Sequence, residues 1–195
     1  MYLNKEVVLS RMILKLPKNP WTNIEIMDWQ MDDEKLPVEY YFYDSSFGKV
    51  LAINTPKGVC YLDLIEEKPE YVLTDLRKRF KQVEPMETKT FLQKQAIDFL
   101  EGKRDELLQF HLRGTRYQTE IWRKLIRIPY GKVISYITLG GDIKYLRAAG
   151  TANGRNPIFC IVPCQRAVKV TGEFDRYFWG KDVKKRLLVW EFANS

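Results

Sequence analysis

The sequence predicts an α+β chain in which a small antiparallel-sheet-plus-helix domain precedes a mainly helical one. Three observations carry this. Residues 38–64 alternate apolar and polar with a period of two, residues beyond 89 carry apolar stripes at helical spacing, and the polar stretch KQVEPMETKT with Pro85 separates the two patterns. The implied divisions are 1–37, an N-terminal extension; 38–88, the α+β domain; 89–112, a helix and linker; and 113–195, a helical domain.

In the extension, Val7–Leu16 and Ile24–Met27 are candidate strands interrupted by Pro17, Pro20 and the acidic MDDE. Val38, Tyr40 and Phe42 then alternate with Glu39, Tyr41 and Tyr43 as a strand; DSSFGK is a turn, Val50–Ile53 a second strand, TPKG a turn, and Val59–Leu64 a third. An antiparallel meander is the simplest arrangement, and Val72, Leu76 and Phe80 supply a helix. Leu92, Ala96, Phe99 and Leu100 form the next helical stripe, closed by Gly102. Thr115 followed by Gln118 is a capping box opening a helix with the stripe Tyr117, Ile121, Leu125 and Ile128, stopped by Pro129 and Gly131. Ser135–Leu139 and Ile143–Asn153, separated by Gly140, Gly141 and Asp142, have helix-turn-helix spacing, so the second domain is expected to be winged-helix-like. Val183–Glu191 is the last helix.

A chain of 195 residues, 45% hydrophobic and 29% charged, has the composition of a soluble globular protein rather than a disordered or fibrous one. Its apolar runs are interrupted by charge, which excludes a signal peptide or membrane anchor as the sequence reads and places the protein in the cytoplasm, or in the nucleus of a eukaryote. Three cysteines within apolar runs argue for reduced thiols, and a single histidine, His111, leaves a zinc site short of ligands. The net charge of +7 is unevenly spread: residues 1–88 carry 12 basic against 15 acidic side chains, residues 89–195 carry 20 against 10. A one-sided basic segment fits a polyanion surface as well as it fits a solubilising one.

IFCIVPCQR, residues 158–166, holds the chemistry. Ile158–Val162 has the continuous apolar character of a buried strand that Pro163 ends, leaving Cys164 at a strand end beside Gln165 and Arg166, where positive charge would favour a thiolate. Cys60 and Cys160 sit inside apolar runs as core residues. The helix YLRAAGTANG presents Ala148, Ala149, Gly150, Thr151, Ala152 and Asn153 behind Arg147. Such small side chains permit either close packing in a core or close approach to a nucleic-acid groove, with Arg147 entering the base stack.

Residues 114–191 resemble the C-terminal domain of the O6-alkylguanine-DNA alkyltransferases. GTRYQTEIW, IPYGKVISY, RAAGTANGRNP, IVPCQRAV, and YFWG followed by KKRLL occur in that family's order, and FYDSSFGKVLAINTPKGVCYLDL is similar to its N-terminal domain. The resemblance implies a single-use repair protein that binds double-stranded DNA in the minor groove, flips an O6-alkylguanine out of the stack and takes its alkyl group, as a monomer without cofactor or metal. It implies Cys164 as acceptor, Asn156 as the brace of the active-site turn, and Glu191 as the end of a hydrogen-bonded relay. Tyr136 would turn the target phosphate and donate to the leaving guanine, and Arg147 would fill the gap. Tyr177, Trp179, Ala167 and Lys184 would line or adjoin the guanine pocket.

One residue departs from the pattern. The family's usual Pro-Cys-His-Arg is here Pro-Cys-Gln-Arg, and Gln165 can orient a water but cannot accept the thiol proton. Transfer is therefore expected to persist but to follow the thiolate fraction. His111, ahead of the Thr115 helix, reads as a surface or linker residue rather than a replacement base. Two other functions compete: a non-catalytic protein that recognises alkylated bases and recruits repair factors, and a transcriptional regulator reading the major groove.

Overall fold

The computed structural model describes residues 23–46, 48–65, 69–102, 107–173 and 177–193. The candidate strand Val7–Leu16 lies outside them. The chain forms two compact units: one comprises the described residues up to Gly114 together with Pro157–Phe159, the other Thr115–Asn156 and the described residues from Cys160 onward.

In the first unit, β1 (Ile24–Asp28), β2 (Glu39–Ser45), β3 (Gly48–Thr55), β4 (Gly58–Leu64), β5 (Met86–Glu87) and β6 (Leu108–Leu112) form one sheet in the order β1-β6-β4-β3-β2-β5. The β2-β3-β4 meander follows from the period-two pattern and is antiparallel. The sheet as a whole is mixed rather than antiparallel, because β6 pairs in parallel with β1 and β4, and β5 with β2. Two sequence expectations change accordingly. Ile24–Asp28 is a strand within the first unit's sheet, not part of a separate extension, and residues 108–112 complete that sheet instead of linking domains, so the division falls at Gly114.

Helix α1 (Pro69–Arg79) contributes Leu76 to a core with Val38, Tyr40, Leu51, Ile53, Cys60 and Phe80, each such burial worth roughly 1.5–3 kcal/mol for a large apolar side chain. Helix α2 (Phe91–Leu100) opens on a Thr90–Gln93 capping box. Its buried face is Gln93, Ala96, Ile97, Phe99 and Leu100; Gln93 turns inward because Asn54 Oδ1 accepts from its amide at 2.8 Å. Where β4 meets β6, only glycine fits at Gly58: a Cβ there would stand 2.7 Å from the Gln109 carbonyl oxygen.

His111 corrects the reading of a surface residue. It is fully buried in β6, with Asp33 Oδ2 2.9 Å from Nε2, Thr55 Oγ1 2.8 Å from Nδ1, and the Trp29 ring stacked at 4.5 Å. Asp33 comes from the acidic MDDE segment, which forms a short 3-10 turn, and also receives the Lys57 ammonium at 2.5 Å. Lys57 is the largest influence holding the Asp33 carboxyl down at about 2, while burial lowers the His111 pKa against the opposing pull of Asp33.

The second unit is built on α3 (Arg116–Leu125), opened by the Thr115–Gln118 box with Ile121, Trp122 and Leu125 buried. Two-residue strands β7 (Ile134–Ser135) and β8 (Ala167–Val168) pair in parallel, and α4 (Tyr136–Gly140) starts on Ser135, whose Oγ accepts from the Thr138 N–H at 3.0 Å. After Gly141 in the left-handed region, Asp142 caps a 3-10 turn (Ile143–Tyr145) that runs into α5 (Leu146–Gly154). Trp122 Nε1 donates to the Ala152 carbonyl at 2.9 Å and fixes α5 to α3. Gly140 allows the close α4–α5 corner, since a Cβ there would meet those of Tyr145 and Ala149 at 3.2 and 3.3 Å. Helix α6 is Lys181–Ala193.

The expected strand Ile158–Val162 does not form. Its side chains are buried, but Cys160 has φ of +62°, which breaks an extended run, and only one bridge remains, Ile158 against Leu62. Burial of an apolar run does not by itself distinguish a strand from a packed turn.

Candidate active site

Cys164 opens a 3-10 turn (Cys164–Arg166) reached through buried turns, and two asparagines hold its approach. Asn156 Nδ2 donates to the Val162 carbonyl at 2.7 Å, and Asn153 Nδ2 donates to the Cys164 carbonyl at 3.3 Å. A cavity of about 540 Å³ opens beside the thiol, lined by Tyr136, Gly150, Asn153, Tyr177 and Trp179 among the residues expected from sequence. Gly154, Lys169, Glu173 and Phe178 also line it and were not foreseen. The apolar–aromatic run YFW pointed toward Phe178; nothing local marked Lys169 or Glu173.

Cys164 is buried, not exposed at a strand end. Burial pushes its thiol above the ordinary value, opposed by hydrogen bonding from Asn156 and Tyr177 and by the charge of Lys184. The thiol donates to Tyr177 Oη at 3.6 Å, and that hydroxyl donates to Gln165 Oε1 at 3.3 Å. Gln165 Nε2 donates in turn to Glu191 Oε1 at 2.7 Å. Four side chains thus form a continuous chain of hydrogen bonds, but it carries no proton through the amide, whose nitrogen has no free pair to accept one.

Arg166 does not lend its field to the thiol as its sequence position suggested. Its Nε lies 2.7 Å from Glu191 Oε2, its Nη1 donates to the Ile128 carbonyl, and its guanidinium carbon sits 4.5 Å over the Tyr130 ring. Charge on Arg166 is neutralised by Glu191, which is buried on the inner face of α6 instead of solvated. Lys184 is a cation whose charge acts on the thiol. Its Nζ donates to the Ala167 carbonyl at 2.7 Å, and burial lowers its pKa to about 8. Ala167 and Lys184 are fully buried and do not line the cavity; they support the segment carrying Cys164.

Of the α5 residues, Arg147, Ala148 and Thr151 are exposed and Gly150 is half-buried, whereas Ala149, Ala152 and Asn153 face inward. The outward small face is therefore narrower than the sequence suggests, because Ala149 and Ala152 pack within the unit. Cys60 and Cys160 are buried, the Cys60 thiol being raised to about 12 by burial. No group of side chains suited to a metal ion occurs among the described residues, and none of their helices is long and apolar enough to cross a membrane.

Residues 116–193 match the family model described as 6-O-methylguanine DNA methyltransferase, DNA binding domain. The methylated-DNA–protein-cysteine methyltransferase of Methanosarcina barkeri is 31% identical over 163 residues, spanning 80% of this chain and 98% of that protein. The chain belongs to the methylated-DNA–protein-cysteine methyltransferase family. Within that family it is also similar to the bifunctional transcriptional activator/DNA repair enzyme Ada of Escherichia coli, 29% identical over 169 residues, of which it spans about half the length, 48%. Among solved structures, the Mycobacterium tuberculosis OGT in complex with DNA superimposes with a TM-score of 0.65 at 28% identity, over 80% of this chain and 94% of that one. The methyltransferase family is thus matched in sequence and in its mixed sheet-and-helix fold.

Proposed function

We propose that this methyltransferase repairs DNA by direct reversal, moving the alkyl group of an O6-alkylguanine irreversibly to Cys164. What supports this most is the placement of Cys164 beside a cavity walled by Tyr136, Tyr177 and Trp179, with Gln165 and Glu191 behind it. Each molecule acts once. The Cys164 Sγ forms a bond to the alkyl carbon as the carbon–O6 bond breaks; the thiol gives up its proton and the guanine, still part of the DNA strand, gains one, so the reaction needs no cofactor or metal.

The O6 substituent cannot be reached within a paired, stacked duplex, so the nucleotide is extruded. In this reading α4 and α5 act as a helix-turn-helix in the minor groove, the exposed Ala148 and Thr151 and the half-buried Gly150 allowing close approach and Arg147 filling the vacated space. Tyr136, on the cavity wall, donates to the leaving base. As the thiolate forms, the Tyr177 hydroxyl rotates to donate to sulfur, and Lys184 supplies positive charge nearby.

The test is the intact mass of the protein after incubation with an O6-methylguanine duplex. A gain of one methyl group, abolished in Cys164→Ala, is the expected outcome. Binding of the lesion without that gain would support the recognition-only alternative, which the raised thiol pKa and the glutamine at 165 favour.

A further inference from the structure

The stretch from Gly141 to Ala148 is exposed at every residue, although it contains three large apolar side chains, Ile143, Tyr145 and Leu146, at 68%, 45% and 37% exposure. Apolar groups are left in water at a fixed corner of the fold, not on a loose loop. Asp142 Oδ1 accepts from the Lys144 N–H at 3.0 Å, the Tyr145 N–H donates to the Asp142 carbonyl at 3.1 Å, and Gly140 seats the corner against the Cβ of Tyr145. The Tyr145 ring also lies 6.3 Å from that of Tyr117. Contiguous exposed apolar surface of this kind marks a contact with a partner.

Charge identifies the partner. The same run carries Lys144 and Arg147, with Arg155 just past the far end of α5, all exposed; its one carboxylate, Asp142, lies 3.7 Å from the Lys144 ammonium, which also stands 5.1 Å over the Tyr145 ring. Apolar tips flanked by cations match the two chemistries of a nucleic acid duplex, stacked bases and flanking phosphates. Leu146 and Arg147 are the first two residues of α5, whose Gly150, Asn153 and Gly154 line the cavity beside Cys164, so the tips belong to the helix that borders the flipped base.

We propose that Tyr145 and Leu146 form an apolar wedge that enters the base stack of duplex DNA next to the lesion, so that extrusion is driven by a three-residue step, Tyr145-Leu146-Arg147, and not by Arg147 alone. This rests on the alkyl-transfer reading for its substrate. The wedge unstacks one base step and kinks the duplex, with Tyr145 replacing the lost stacking and Lys144 held near the strand. A lesion in a single strand needs no such unstacking, and its transfer does not use the wedge.

The experiment compares Tyr145→Ala, Leu146→Ser and the double variant with the parent on two probes: an O6-methylguanine duplex and a short single-stranded oligonucleotide with the same lesion. The double variant is expected to lose about tenfold or more in single-turnover rate on the duplex and to stay within about twofold on the single strand. Energy transfer between dyes at the ends of the duplex reads the kink, which the parent produces and the double variant loses. Equal duplex rates, or parallel losses on both probes, overturn the proposal, as does an unchanged kink. A parent that transfers to neither probe refutes the alkyl-transfer reading instead, and the kink measurement still decides for or against the wedge; an unbent duplex would leave a protein partner as the occupant of this patch.

Discussion

Replacing Gln165 with histidine should raise the rate of transfer near neutral pH and flatten its pH dependence. Burial holds the Cys164 thiol above its ordinary value of 9.0, so at pH 7 fewer than about one molecule in a hundred carries the reactive thiolate. Gln165 lies between Tyr177 Oη, 3.3 Å away, and Glu191 Oε1, 2.7 Å away, and passes no proton between them. An imidazole at this position would hold its N–H against Glu191 and offer its other nitrogen to the Tyr177 hydroxyl, which in turn receives the thiol proton. Positioned bases contribute roughly 10²–10⁴-fold, and the thiolate deficit at pH 7 is at least about 10². The assay is single-turnover methyl transfer from an O6-methylguanine duplex between pH 6 and 9. In the parent the rate should still be climbing at pH 9, following thiolate; in Gln165→His it should level off well below pH 9. If both proteins show the same rate and the same profile, the glutamine is not the break in the relay and the argument fails.

Other outcomes follow from buried charge. Glu191→Gln leaves the Arg166 guanidinium, 2% exposed, without its carboxylate, and should cost about 3–5 kcal/mol in urea unfolding; a variant as stable as the parent would show that the pair is not needed to neutralise Arg166. In the sheet unit, His111 is held neutral and Asp33 ionised. As pH falls below about 6.5 the unfolded chain takes up the histidine proton first, and below about 4 it takes up the Asp33 proton, so stability drops in two stages, the second extending toward pH 2. His111→Gln should abolish the upper stage of the urea midpoint profile and leave the lower one; persistence of the upper stage would assign it to other groups.

How far the sequence reaches depends on whether an element declares itself locally. Val38, Tyr40 and Phe42 alternate within one strand, and Thr115 with Gln118 closes a cap within four residues, so the meander and α3 were legible. The pairing of Ile24 with Leu108 and the contact of Asp33 with His111 join positions about 80 residues apart, and no periodicity encodes them. Local pattern alone therefore places β1 in an extension, β6 in a linker and the histidine on the surface. At the site, Cys164, Gln165, Tyr177 and Glu191 lie in one chain of hydrogen bonds. What escaped was the environment: the identity of Arg166 suggested a free positive field, whereas its partners, Glu191 and the Ile128 carbonyl, come from α6 and from the segment after α3. Residue type announces a charge, but only the fold says where that charge is spent.

The chain does not visit its two units one after the other. After Asn156 it returns to the sheet unit for three residues, where the Leu62 N–H donates to the Pro157 carbonyl at 2.9 Å and the Phe159 N–H to the Leu62 carbonyl at 2.8 Å, before continuing from Cys160 to Cys164. A gene fragment beginning at Thr115 would therefore carry every side chain of the relay and yet leave those three residues without the strand that holds them, two backbone groups losing their Leu62 partner a few residues ahead of the thiol. The sequence boundary of the DNA-binding segment and the boundary of what can fold with a working cysteine are different lines, and truncation or domain exchange in this protein has to respect the second.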